Sequence, residues 1–219
     1  MEGWQPKADG VVDYEGGVVN MEIKIILGIF LGAVFINNFV LSQILGLGTF
    51  LGVSKRLDSA AGMGLAVTCI ITIASLITYI FYKYILLPFD ITYLKTLAFI
   101  LIIVTLVQFA EIIIGKVLPE LYNSLGIFLP LIITNCAILG VALLNVNSGF
   151  ITSELGLIKS VVHGFGGGAG FTLVIIIMSG ISERLELADI PENLKGLPIS
   201  FITAGLLALA FLGFAGMKI

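Results

Sequence analysis

Charge is what this sequence has least of. Its 219 residues include only 11 Lys and Arg and 14 Asp and Glu, 11% of the chain, where a soluble domain carries about 25%. No basic run suggests a nucleic-acid surface, and the net charge of −3 says little about partners when nearly every charge must sit in a loop. One histidine and two cysteines exclude a His-rich metal site within the chain and any secreted disulfide framework. A nucleophile–base pair, a nucleotide fingerprint and the basic, apolar-cored start of a signal peptide are all missing as well. What fills the space is apolar: 58% hydrophobic residues and a mean hydropathy of +1.14. The composition is that of an integral membrane protein, all-α because a lone chain of this kind satisfies its backbone in lipid through helices.

A crossing needs about 20 apolar residues. The charged clusters divide the chain into six expected spans, near Ile23–Phe50, Ser59–Tyr82, Leu94–Val117, Ser124–Leu144, Leu157–Ile181 and Leu197–Met217. They form a single membrane domain over residues 21–219, with no soluble domain. Residues 1–20 are polar and Gly-rich, without periodicity. "EGGVVNM" has a reading at gene level, since Glu-Gly-Gly can be encoded by a ribosome-binding sequence; Met21 is therefore expected as the natural start, with residues 1–20 a disordered or non-native extension. Lys and Arg divide almost evenly between the two sides, so the positive-inside rule rests on "SKRLDS" and Arg184. It puts both termini on the outer side.

Three spans in each half, about 23–117 and 124–217, make the second half insert upside down relative to the first, the arithmetic of an inverted repeat. "INNFVL" (36–41) and "TNCAIL" (134–139) fall in the first span of each half. Both spans are irregular. The first has no charge from Ile25 to Ser54 and contains Gly46 and Gly48; the fourth contains Pro130, Asn135-Cys136 and Gly140. Helices 1 and 4 are therefore expected to be broken near the midplane, with Asn37, Asn38 and Asn135 pairing the freed backbone. Ordinary interhelical hydrogen bonds, worth roughly 0.6–2 kcal/mol each, are the alternative.

Cys136 is the leading candidate for chemistry, as an iron ligand or simply a small buried hydrophobe; Cys69 is read in the same two ways. Two cysteines cannot complete a four-thiolate cluster, so any cluster needs a partner chain. Glu111, near the end of the third span, suits either a cation or proton path or a plain interfacial position. His163 precedes "GFGGGAGF", whose glycines at 164 and 168, and at 166 and 170, suit close helix packing rather than phosphate binding. Glu183, Arg184, Glu186 and Asp189 form a charged loop suited to solvation or subunit docking.

"NNFVLSQILGLGTFLGVSKRL", "LYNSLGIFLPLIITNCAILGVALLN" and "ISERLELADIPENLKGLPISFITAGLLALAFLGF" closely resemble the A-type subunits of Rnf electron-transport complexes, and also the E-type subunits of the sodium-translocating NADH:quinone reductase. The resemblance runs from about Met21 to Met217. It implies six spans in two inverted halves and a bacterial inner-membrane component of a ferredoxin:NAD oxidoreductase coupled to sodium or proton pumping. It also implies a homologous, oppositely oriented E-type partner, other subunits carrying flavin and iron–sulfur centres, and a [2Fe–2S] cluster shared between the two homologues. Cys136 matches one of the two cysteines each homologue gives to that cluster. At the other position relatives read "GLCPF" or "GMCTF", whereas this chain reads "GLGTF", so Gly48 stands where the second thiolate is expected. Two readings compete with a cluster-holding role. One is an inverted-repeat transporter or channel whose path is lined by Asn37, Asn38, Gln43, Asn135 and Glu111. The other is a scaffold that has lost its cluster.

Overall fold

The computed structural model describes residues 14–53, 57–117, 135–153 and 155–214, and side chains from residue 21 onward. The described residues are helical, without a strand. Helix α1 (Tyr14–Leu31) continues through a π-helical turn, Gly32–Ile36, and is followed by the short α2 (Phe39–Ser42) and α3 (Leu47–Val53). Helix α4 (Leu57–Phe81) extends through a second π turn, Tyr82–Leu86, and α5 covers Lys95–Val117. Then come α6 (Cys136–Asn147), α7 (Gly156–Glu186) and α8 (Leu197–Leu212). Three stretches among the described residues are long and apolar enough to cross a membrane: Ser59–Leu86, Thr92–Ile113 and Gly156–Glu186. They coincide with the second, third and fifth expected spans. The sixth is a shorter apolar helix of 16 residues. Most of the fourth, residues 124–134, lies outside the described residues, as do residues 1–13 of the expected extension; residues 14–20 belong to α1.

The centre of the molecule is the contact between α4 and α7, and glycine makes it possible. A Cβ on Gly64 would stand 2.7 Å from Thr172 Cγ2, and one on Gly168 would stand 2.6 Å from Thr68 Cα. Each threonine hydroxyl donates to the glycine carbonyl one turn back on its own helix, Thr68 to Gly64 at 2.8 Å and Thr172 to Gly168 at 3.0 Å. The two hydroxyls lie 2.9 Å apart across the interface, 104 residues apart in sequence. Gly164 in turn seats against Ser75. As numbers rise along α4 their partners fall along α7, so the two helices run antiparallel. In a membrane, where lipid competes for apolar surface, such close backbone approach is the main source of helix association. Val67, Ile71, Phe171, Ile175 and Met178 complete this buried face, and Phe99, Val107 and Val141 extend it to α5 and α6.

The other glycine pair serves the neighbouring face of α7. Gly166 admits Ala33 and the Phe30 carbonyl, and Gly170 admits Asn38 and the carbonyls of Ala33 and Val34. That brings α1 and its break against α7. After the π turn, where Asn37 N donates to Gly32 O at 2.7 Å, the chain leaves helical geometry. Asn38 is extended (φ −61°, ψ 116°) and 1% exposed. Its amide nitrogen donates to Val34 O and to Gly170 O, both at 3.0 Å, and its Oδ1 accepts from Val40 N at 3.2 Å. One side chain thus ends α1, starts α2 and ties both to α7. Asn37 next to it is exposed, and among the described residues its side chain makes no hydrogen bond. Of the two asparagines, Asn38 is the one whose side chain makes hydrogen bonds at the break among the described residues.

Thermal unfolding of the detergent-solubilised protein checks both the packing and the break. Gly168→Ala forces a methyl onto the Thr68 backbone and should cost about 1–3 kcal/mol. Gly180→Ala on the same helix meets nothing within 4 Å and should be neutral or gain up to about 1 kcal/mol of helix propensity. Asn38→Ala leaves two carbonyls and one N–H without their partner and should lose about 1–3 kcal/mol, while Asn37→Ala should change stability by less than about 0.5 kcal/mol.

Candidate functional site

Cys136 opens α6. The residue before it, Asn135, is extended (φ −73°, ψ 105°) and caps the helix, its Oδ1 accepting from Ala137 N at 3.0 Å. Asn38 caps α2 in the same way, through the N–H two residues on. An asparagine cap satisfies one of the free N–H groups at a helix start, which in an apolar setting have no water to turn to. Asn135 is 4% exposed, and its Nδ2 is buried without a hydrogen-bond partner among the described residues.

The segment between α2 and α3 folds onto this helix start. Leu45 N donates to Phe39 O at 3.0 Å, closing the chain after α2. The Leu45 side chain occupies the space where Gly140 of α6 lacks one. Ile44 holds φ at 58°, a left-handed conformation costing roughly 1–2 kcal/mol for an L-residue. Gly46 follows at φ 78°. A Cβ there would lie 2.8 Å from Asn135 Oδ1, so both conformation and proximity require glycine. Gly46 N donates to Cys136 Sγ at 2.9 Å. Its carbonyl accepts from Thr49 Oγ1 at 2.7 Å and from Phe50 N at 3.0 Å, starting α3.

Two further observations describe the surroundings of the thiol. Cys136 is exposed, which corrects the reading of this thiol as a buried hydrophobe. Gly48, two residues after Gly46, is exposed too, and among the described residues a Cβ built on it would meet nothing within 4 Å. Position 48 is helical with ordinary backbone angles, so a side chain there is sterically free. Cys136 is thus an accessible thiol whose contact residue is Gly46, and Gly48 follows two residues later on α3. Among the described residues no three His, Cys, Asp or Glu side chains come together as a metal site.

The other sequence candidates lie apart from the thiol. Cys69 is exposed on α4, which corrects the buried-thiol alternative of its two readings. Glu111 is half-buried on α5, and among the described residues no hydrogen bond or ion pair joins it to Asn38, Asn135 or Cys136. Gln43 is exposed at the end of α2. Glu183, Arg184 and Glu186 lie on the last turns of α7 rather than in the expected loop, with Asp189 beyond the helix end. Glu183 accepts from Leu57 N at 3.4 Å and so joins the end of α7 to the start of α4. His163 Nδ1 lies 2.7 Å from Asn145 Oδ1, and its ring meets those of Phe39 and Phe150 edge-on. Sequence reasoning missed Gly46 as the donor to the thiol and Asn145 as the partner of the histidine. The first is a contact across 90 positions that no local pattern encodes. For the second, an asparagine inside an apolar helix was the one clue.

Residues 26–218 match the family of Rnf-Nqr membrane subunits. The chain is 52% identical over 191 residues to the A-type subunit of an ion-translocating oxidoreductase complex from Azoarcus sp. (strain BH72), covering 87% of this chain and 96% of the relative. It is 53% identical over 191 residues to the A-type subunit of a Na(+)-translocating ferredoxin:NAD(+) oxidoreductase complex from Acetobacterium woodii, covering 87% and 97%. To the A-type subunit of an ion-translocating oxidoreductase complex from Pseudoalteromonas atlantica it is 53% identical over 189 residues, covering 86% and 95%. A match over nearly the whole apolar chain, at this level of identity, decides the family: the chain belongs to the Rnf-Nqr membrane subunits.

Proposed function

We propose that the chain is the A-type membrane subunit of an ion-translocating ferredoxin:NAD oxidoreductase complex, and that Cys136 helps hold a [2Fe–2S] cluster shared with a homologous, oppositely inserted E-type partner. The observation that carries this reading is the surface thiol at the first position of α6, facing the Gly46 N–H at 2.9 Å. The N-terminus of α6 and that N–H both direct positive dipole ends toward the sulfur, which suits a thiolate bound to iron. The thiol is exposed, so a second protein surface can reach it. The other ligands come from the partner, with a non-cysteine ligand in place of a residue-48 thiolate. When bound, such a cluster supplies one-electron transfer within the membrane. This chain's own part is to hold the thiol: Asn135 fixes the helix start, Gly46 meets the sulfur, and Asn38 fixes the break that leads to Gly46.

Six spans in two inverted halves belong to the same proposal. It is supported by the antiparallel, reciprocal Gly64–Thr172 and Thr68–Gly168 contacts and by the matching asparagine caps of α2 and α6. The membrane domain is then residues 21–219, in the bacterial inner membrane with both termini on the outer side. Further subunits with flavin and iron–sulfur centres exchange electrons with it, and sodium or protons are the coupled ion. Gly48 gives the scaffold reading its one specific support, and a single experiment separates the two. Iron content and low-temperature EPR of the reduced complex, copurified with its partner, are compared with Gly48→Cys, the signals of other centres being subtracted. The proposal expects a cluster signal in the chain as it stands, stronger or more oxidation-resistant in Gly48→Cys, and abolished in Cys136→Ser. A signal in Gly48→Cys alone makes this chain a scaffold. No signal in either removes the cluster from this position.

A further inference from the structure

A crevice of about 510 Å³ runs along α1, between that helix and the α6–α7 connection. Lys24, Gly28 and Gly32 line it on α1, Asn37 lines it at the break, and Ser148 and His163 line it from the α6–α7 side. Lys24 and Asn37 are 13 positions apart, which at 1.5 Å per residue makes the crevice roughly 20 Å long. It therefore extends from the middle of α1 to the helix break. Its depth comes from Gly28 and Gly32; a Cβ at Gly32 would meet nothing within 4 Å.

Part of its lining is polar and unpaired. Among the described residues the Asn37 and Ser148 side chains make no hydrogen bond, and both residues are exposed. The orientation of His163 is fixed by its neighbours. Asn145, 2% exposed, points Nδ2 at the Ser160 carbonyl at 3.5 Å. With the amide nitrogen toward that carbonyl, Oδ1 faces His163 Nδ1 at 2.7 Å. That oxygen only accepts, so Nδ1 carries a hydrogen. In the neutral ring the lone pair then lies on Nε2, which has no hydrogen-bond partner among the described residues. Three polar groups left unpaired toward lipid would be costly; toward water they are not.

We infer that this crevice is a water-filled vestibule, open at the Lys24 end and closed at the helix break, in which His163 Nε2 offers its lone pair to a proton or small cation arriving in water. The crevice has ample space for several waters. Lys24 is the charged side chain at its mouth, and Lys159 lies one turn before His163 on α7. The ring of His163 meets Phe39, the first residue of α2, so whatever binds there is felt directly at the break. A role in ion translocation rests on the function proposed above; water access does not, and the test reads access alone.

The assembled complex is placed in sealed vesicles of known orientation, and a membrane-impermeant cationic thiol reagent is added from one side at a time. Lys24→Cys, Gly32→Cys and Asn37→Cys are compared with Leu101→Cys on the outward face of α5, in a Cys69→Ala background, with peptide mass spectrometry locating each adduct. Thiols must ionise to react and do so only where water reaches them, so Gly32→Cys and Asn37→Cys should react at least about tenfold faster than Leu101→Cys, from the Lys24 side only. If Asn37→Cys does not assemble, Gly32→Cys carries the test. Rates equal to that of Leu101→Cys mean a dry crevice, and reaction from both sides means a through-path; either overturns the inference. Diethyl pyrocarbonate acylates a ring nitrogen with a free lone pair. His163, the only histidine in the chain, should be modified in the intact complex, and its modification only after unfolding would equally overturn the inference.

Discussion

A helix can be interrupted inside an apolar protein only if something replaces the hydrogen bonds that the interruption removes, and the rest of this structure depends on the side chain that does so. Asn38 pairs a carbonyl of the helix it ends, an N–H of the helix it starts, and a carbonyl of α7. A soluble protein can leave such groups to water; in lipid that choice is absent. Fixing the break also fixes the path of the chain beyond it. The backbone turns through Ile44 and Gly46 in left-handed conformations, and Gly46 arrives with its N–H against Cys136. A distortion that would be a defect in a straight span thereby delivers a backbone donor to a thiol.

Glycine supplies the proximity this requires. The α7 glycines work on two faces: 164 and 168 against α4, 166 and 170 against α1 and the break. An alanine at position 170 would press on the Asn38 amide nitrogen at 2.9 Å, so the hydrogen bond from Asn38 to Gly170 O exists because the residue carrying that carbonyl has no side chain. Packing and polar pairing are here one constraint. Large outward apolar residues such as Leu97, Leu101 and Phe109 on α5 leave that face to lipid or to another subunit.

Much of this was legible in the sequence. Charge placement located α4, α5, α7 and α8 to within a few residues, because charges cannot stay inside a span. The polar cluster at positions 37–43 and the glycines at 46 and 48 marked an irregular first span, and the four-residue glycine spacing marked close packing. Which asparagine acts was not legible: adjacent residues point in different directions, and only the position of Gly170 selects Asn38 over Asn37. Contacts across long sequence separations were equally hidden, among them Gly46 with Cys136, Asn145 with His163, and Thr68 with Thr172. The exposure of both cysteines was missed because an apolar run looks the same whether it faces the core or the surrounding membrane. Gly48 was legible as a departure from its relatives, and the structure adds that nothing crowds it.

Two capped helix starts, on this reading, hold Cys136 at a surface where a partner completes a metal site. An experimental density map of the assembled, anaerobically prepared complex around Cys136 tests this most directly. The predicted result is strong metal density bonded to Cys136 Sγ, with the Gly46 N–H still directed at the sulfur and the partner's ligands on the opposite side. A Cys136 side chain facing lipid alone, with no metal density and no partner surface beside it, would contradict it.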